Sequence, residues 1–89
     1  MLKLKFEELA LINISQIKLY YNSKKENFGN IFIEDLISDL EKLKIFPNLG
    51  SVYVEDVRKL IFNKNYNIYY IVTEKEIIII KLINSKQDI

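Results

Sequence analysis

Apolar and polar residues alternate with two different periods along the chain. Leu2, Leu4 and Phe6 alternate with lysines, and this alternation predicts a short strand with one buried face. Between about residues 8 and 43, apolar residues recur three and four positions apart, which predicts helices. Beyond Gly50 they alternate or form short runs, which predicts strands. The pattern predicts the order β–α–α–β–β–β and leaves room for one extra short strand.

The helical part contains two amphipathic segments, at about residues 8–23 and 28–43. The polar stretch Asn22–Asn27 separates them, and so short a connection favours an antiparallel helical hairpin. Each segment carries one apolar stripe that should face the core. The stripes consist of Ala10, Ile14, Ile17 and Tyr21 in the first helix, and of Phe28, Phe32, Leu36, Leu40 and Leu43 in the second.

The strand-rich part begins after Pro47–Gly50, which reads as a turn. Strands are predicted at about residues 52–54, 57–62, 66–72 and 77–83. Two short polar links within this part join antiparallel neighbours as hairpins. We therefore predict a single α+β domain over residues 1–89, in which a mostly antiparallel sheet packs on the helical hairpin.

Both faces of the predicted sheet are apolar. In one strand Tyr69 and Ile71 lie opposite the set that contains Tyr66 and Tyr70. In the last strand, strict alternation puts Ile78, Ile80 and Leu82 on one face and Ile77, Ile79 and Ile83 on the other. Two helices can cover only one face, so the second is predicted to bind another chain. The alternative is that the N-terminal or C-terminal segment curls over it.

Composition removes several kinds of chemistry. The 89 residues include no cysteine and no histidine, which excludes thiolate ligands, disulfides and imidazole catalysis. We expect no metal and no cofactor. The formal net charge of +1 argues against a protein that grips nucleic acid mainly by charge. The longest charge-free apolar run, Ile77–Ile80, is too short to cross a membrane, so a cytoplasmic protein with no membrane partner is expected.

Several short motifs follow one another in a characteristic order. They are Tyr20-Tyr21, Gly29–Phe32, Pro47, Val57–Lys59, Tyr66–Tyr70, Ile77–Ile83 and the tail Asn84–Ile89. This order resembles the RelE/ParE superfamily of toxins from bacterial type II toxin–antitoxin systems, and it is closer to the ParE-like branch. The tail departs from the family ending, because Asn84 stands where the family has histidine and Gln87 where it has its last arginine.

The resemblance implies a RelE/ParE-like fold and a growth-inhibiting toxin neutralised by a cognate antitoxin. It implies a cellular target bound without chemistry, as in ParE-like toxins that poison DNA gyrase, and either a homo-oligomer or a toxin–antitoxin hetero-oligomer. Two alternatives stay open. One is a RelE-like, ribosome-dependent endoribonuclease that cuts messenger RNA. The other is a degenerate toxin that only binds its antitoxin.

The resemblance also allows the ribonuclease residues to be carried over position by position. Cleavage of a phosphodiester without a metal needs cations and proton-transferring groups at the reacting phosphate. Of the family's basic cluster, Arg58 is retained, while Leu60, Asn67 and Gln87 replace basic residues. Lys86 lies beside Gln87, and the terminal tyrosine of the family has no counterpart. Arg58 and Lys86 are thus the only remnant catalytic candidates, and the balance favours a protein without enzymatic activity.

Eight residues are predicted to contact the target or the antitoxin. For Arg58, the alternative is an ion pair with Glu55 or Asp56. Tyr66 and Tyr70, by contrast, are predicted to be core aromatics with a polar tip. The eight candidates are Arg58, Leu60, Phe62, Asn67, Tyr69, Ile71, Lys86 and Gln87.

Overall fold

The predicted order of helices and strands is confirmed in a computed structural model, which describes residues 2–88. The extra short strand is present, and each observed end lies within two residues of its predicted position. The elements are β1 (Lys3–Phe6), α1 (Glu8–Lys24), α2 (Phe28–Ile45), β2 (Ser51–Val54), β3 (Val57–Phe62), β4 (Tyr66–Val72) and β5 (Glu76–Asn84).

The five strands form one sheet in the order β1-β5-β4-β3-β2. β2 to β5 form antiparallel neighbours because their links are short. β1 instead pairs parallel to β5, with Lys3 opposite Glu76. The two helices lie between β1 and the rest of the sheet in sequence, so they supply the long connection that parallel pairing requires. The mostly antiparallel sheet of the prediction is therefore confirmed, with one parallel edge.

The two apolar stripes meet the sheet in one core. All four stripe residues of α1 pack there, together with four of the five in α2. Phe28 was wrongly included, since 40% of it is exposed. Its neighbour Gly29 takes the inward position, where a Cβ atom would lie 2.5 Å from the Lys18 carbonyl oxygen of α1. The helices are too close at this point to accept a side chain.

The predicted faces of β5 are wrong beyond its first residues. Ile77, Ile79 and Leu82 together face the core, whereas strict alternation had divided them between the two faces. The cause is a β-bulge: Tyr70 lies opposite Ile79, but Tyr69 lies opposite Lys81, so one residue is skipped. Asn13 of α1 supports the strand just after the bulge, where its Oδ1 accepts a hydrogen bond from the Leu82 N–H at 3.1 Å.

Candidate binding face

A clasp of hydrogen bonds holds the loop before β2 against the sheet. The Tyr70 hydroxyl donates to the Pro47 carbonyl oxygen at 2.9 Å and accepts from the Gly50 N–H at 2.8 Å. Arg58 Nη1 donates to the carbonyl oxygens of Gly50 at 2.7 Å and Asn48 at 3.4 Å. Burial raises the pKa of Tyr70, although the Gly50 hydrogen bond and the Arg58 charge oppose the rise. The neutral phenol is thus able to donate and accept at once.

The proposed ion pair between Arg58 and Glu55 or Asp56 is wrong. The guanidinium binds backbone oxygens of the loop, and within residues 2–88 the ion pairs join lysines to acids of α2. Arg58 lies opposite Tyr70 in the β3–β4 ladder, so its side chain is on the same side of the sheet as the loop. The two acids occupy the tight link between β2 and β3, where both are exposed.

Arg58, Leu60 and Phe62 share one side of β3, as predicted. Their partners in the β3–β4 ladder are core residues of β4, so this is the side that the helices and the loop cover. Phe62 is only 3% exposed, and its ring centroid lies 5.6 Å from that of Phe32 in α2. In the free chain, Phe62 therefore contributes to the core, and a contact role for these three residues stays a prediction.

Asn67, Tyr69 and Ile71 lie on the opposite side of the sheet, which we call the open face. Tyr69 is at its centre, because Lys59 of β3 and Lys81 of β5 are its two cross-strand neighbours. Lys81 Nζ lies 4.8 Å from the centroid of the Tyr69 ring, within range of a cation–π contact. The ring of Tyr53 in β2 meets Tyr69 edge-on, with 4.8 Å between centroids.

A turn after β5 covers the centre of the open face. The Ser85 N–H donates to the Asn65 carbonyl oxygen at 2.8 Å, which fastens the turn beside the β3–β4 link. The chain then places Asp88 over the sheet, where its Oδ2 accepts hydrogen bonds from Asn67 Nδ2 at 2.8 Å and from the Tyr69 hydroxyl. Tyr69 is consequently 2% exposed and Asn67 8% exposed. At these two residues the alternative, a covering C-terminal segment, is observed, whereas binding of another chain to this face stays a prediction.

The pKa values of this cluster describe a neutral phenol beside a charged carboxylate. The hydrogen bond from Tyr69, and then that from Asn67, lower the pKa of Asp88, with smaller contributions from Lys81 and Lys59. Burial, and then the hydrogen bond to Asp88, raise the pKa of Tyr69 to about 12. At physiological pH the tyrosine is therefore a donor and the aspartate an acceptor.

Exposed apolar surface is concentrated away from the centre of the open face. Apolar side chains that are more than half exposed lie on both helices, in the loop before β2, on the edge strand β2 and on β3. These include Leu11, Leu19, Tyr20, Ile45, Phe46, Leu49, Val52, Tyr53 and Ile61. Exposed apolar side chains in such number offer surface that a partner chain could cover.

The two remnant catalytic candidates do not come together. Arg58 lies opposite Tyr70 on the helix-facing side, whereas the turn that contains Lys86 is fastened at Asn65, beyond the other end of β4. Gln87 of the same turn lines a cleft of about 580 Å³ between α1 and the end of β5. The cleft lining is rich in amides and tyrosines and contains no charged side chain among the described residues.

Lys59, Lys81, Tyr53 and Asp88 were missed by the sequence reasoning. If residues are paired outward from the link at residues 63–65, as in a regular β-hairpin, Lys59 falls opposite Tyr69. The same outward pairing from the β4–β5 link puts Ile80, instead of Lys81, opposite Tyr69. The difference is the β-bulge, whose extra residue has no distinctive side chain.

The fold is that of a small α+β protein with RelE/ParE-like architecture. A protein of the chromosomal ParDE TA system from P. aeruginosa has a similar structure, with a TM-score of 0.80, 21% identity, and coverage of 94% of this chain and 96% of that one. The conserved hypothetical protein HP0894 from Helicobacter pylori matches with a TM-score of 0.68 and 17% identity, and both chains are covered completely.

The amino-acid sequence identifies the family of this protein. Residues 4–89 match the ParE toxin of type II toxin–antitoxin systems, parDE, and the chain belongs to this family. It is the toxin component of a type II system, a class in which toxin and antitoxin are paired. No curated protein matches the sequence significantly. Within residues 2–88, no helix is long and apolar enough to cross a membrane.

Proposed function

We propose that the toxin inhibits growth by binding a cellular target without chemistry, and that DNA gyrase is the target. The resemblance to ParE-like toxins motivates this target. The observation that carries the proposal is the separation of Arg58 from Lys86, because a phosphodiester-cleaving site needs its cations at one phosphate. In addition, the Arg58 guanidinium already donates hydrogen bonds to two backbone carbonyl oxygens of the loop before β2.

The antitoxin is proposed to cover the exposed apolar surface and part of the open face. Asn67, Tyr69, Ile71, Lys86 and Gln87 are the residues that we propose for this contact. The exposed edge strand β2 offers unpaired backbone groups beside the same face. A toxin without its antitoxin is therefore proposed to self-associate, whereas co-expression should yield a toxin–antitoxin hetero-oligomer.

The test is induction of the toxin alone in a bacterial host, together with a supercoiling assay on purified gyrase. We expect growth to slow, DNA-damage signalling to rise and messenger RNA to remain intact on primer extension. Cleavage of translated messages at codon-defined positions would instead favour the ribonuclease alternative. Normal growth combined with tight antitoxin binding would identify a degenerate toxin.

A further inference from the structure

A built anion site lies at the centre of the open face. Asn67 Nδ2 and the Tyr69 hydroxyl converge on one carboxylate oxygen, Asp88 Oδ2. Asp88 covers both donors, and without it their acceptor would have to be replaced by water or by another anion. Because Tyr69 and Asn67 belong to the central strand β4, the site has a rigid base.

The lysines leave the site with a surplus of positive charge. Lys59 and Lys81 lie on either side of Tyr69 in the sheet, whereas Asp88 contributes a single negative charge. Within the described chain, no carboxylate oxygen lies within 4 Å of either ammonium group. The two lysines can therefore accept a further acidic group beside the one that the site already holds.

The group that occupies the site belongs to a short external turn. Backbone hydrogen bonds hold this turn through Ser85 to Asn65 and through Gln87 to Asn84, and Lys86 and Gln87 are exposed. Asp88 is thus an internal ligand whose effective concentration is high but finite. A ligand from another chain has to compete with it.

We infer that Asn67, Tyr69, Lys59 and Lys81 form a carboxylate-binding site, which Asp88 occupies in the free toxin and an acidic side chain of a partner polypeptide occupies in the complex. This inference rests on the proposed function in one respect, because the antitoxin is the partner that would supply the acidic segment. The chemistry of the site itself does not depend on the target of the toxin.

The experiment uses isotope-labelled full-length toxin and a blocked tetra-aspartate peptide as the probe. Binding is followed by the NMR signal of the Asn67 side-chain amide. The Asp88→Ala variant should bind the peptide about tenfold more tightly than the unaltered chain, if the internal ligand fills the site about nine-tenths of the time. Glu74→Ala removes one exposed carboxylate from the β4–β5 link and is the matched control, with no expected change.

The lysines are tested in the Asp88→Ala background. Lys59→Gln and Lys81→Gln should each weaken peptide binding several-fold, whereas Lys3→Gln and Lys5→Gln on the exposed side of β1 should not. Circular dichroism verifies that each variant is folded. If a variant does not fold, peptide titration of the unaltered chain at low and high salt replaces it, and salt should weaken binding.

Two outcomes would overturn the inference. One is an unmoved Asn67 signal in folded Asp88→Ala at saturating peptide. The other is equally tight binding of inorganic phosphate, which would indicate a general anion site. Growth inhibition without peptide binding would refute the site alone, and peptide binding without growth inhibition would refute the proposed function alone.

Discussion

Replacement of Tyr70 by phenylalanine tests the clasp on the loop before β2. The change removes one hydroxyl and retains the ring, so core packing is largely preserved. Two hydrogen bonds disappear, to the Pro47 carbonyl oxygen and from the Gly50 N–H. Each is worth about 1 kcal/mol, and the second leaves a buried N–H without an acceptor. We expect a loss of about 2–3 kcal/mol in the free energy of unfolding.

Thermal and urea unfolding monitored by circular dichroism measure this loss. For a domain of this size, about 2 kcal/mol corresponds to a fall in Tm of roughly 8–16 °C. Tyr53→Phe is the matched control, because Tyr53 is more than half exposed and its ring contacts Tyr69 rather than the loop. If Tyr70→Phe is no less stable than Tyr53→Phe, the clasp does not stabilise the fold and the reasoning fails.

Three further predictions follow from other contacts. Gly29→Ala should lower stability by about 1–3 kcal/mol in urea unfolding, because the new Cβ meets the Lys18 carbonyl oxygen; an unchanged midpoint would contradict this. Arg58→Ala should lower the Tm of the free chain by several degrees through loss of the loop contacts; an unchanged Tm with weaker antitoxin binding would contradict this and support the predicted contact role. The stabilising contribution of Asp88 to the folded state should be present above pH 3.8 and lost as pH falls through its lowered pKa. The stabilising contribution of Tyr69 should be present below pH 10 and lost as pH rises towards 12. Asp88→Asn should abolish the change that acid causes in the NMR signal of the Asn67 side chain.

The strand boundaries were predictable because they depend on local pattern. β3 and β4 have the predicted ends, since polar links interrupt apolar alternation at both. The faces of β5 were not predictable, because Ile77–Ile80 contains four identical residues and no signal for a bulge. The hydropathy pattern also assigned the inward position to Phe28, because it carries no information on the close approach of the two helices at Gly29.

The site depended on tertiary contacts that lack a periodic signature. Arg58 was expected to need a carboxylate, since a charge among apolar residues needs a partner, but backbone carbonyl oxygens met that need. Their position depends on how the Pro47–Gly50 loop folds back over the sheet. In the sequence, Asp88 is one residue of a polar tail. No local pattern indicates that the turn after β5 places its carboxylate beside Tyr69.

Because β1 pairs with β5, the sheet of the toxin can be completed only late in the synthesis of the chain. Lys3 is translated early, yet its partner Glu76 is added 73 positions later (76 − 3 = 73). At about 5–20 residues per second, several seconds pass before β5, the strand that pairs with β1, has been synthesised. A chain that stalls before residue 76 therefore lacks β5, the strand that lies between β1 and β4 in the sheet. The five-stranded sheet can therefore close only after β5, the last strand in the sequence, has been synthesised.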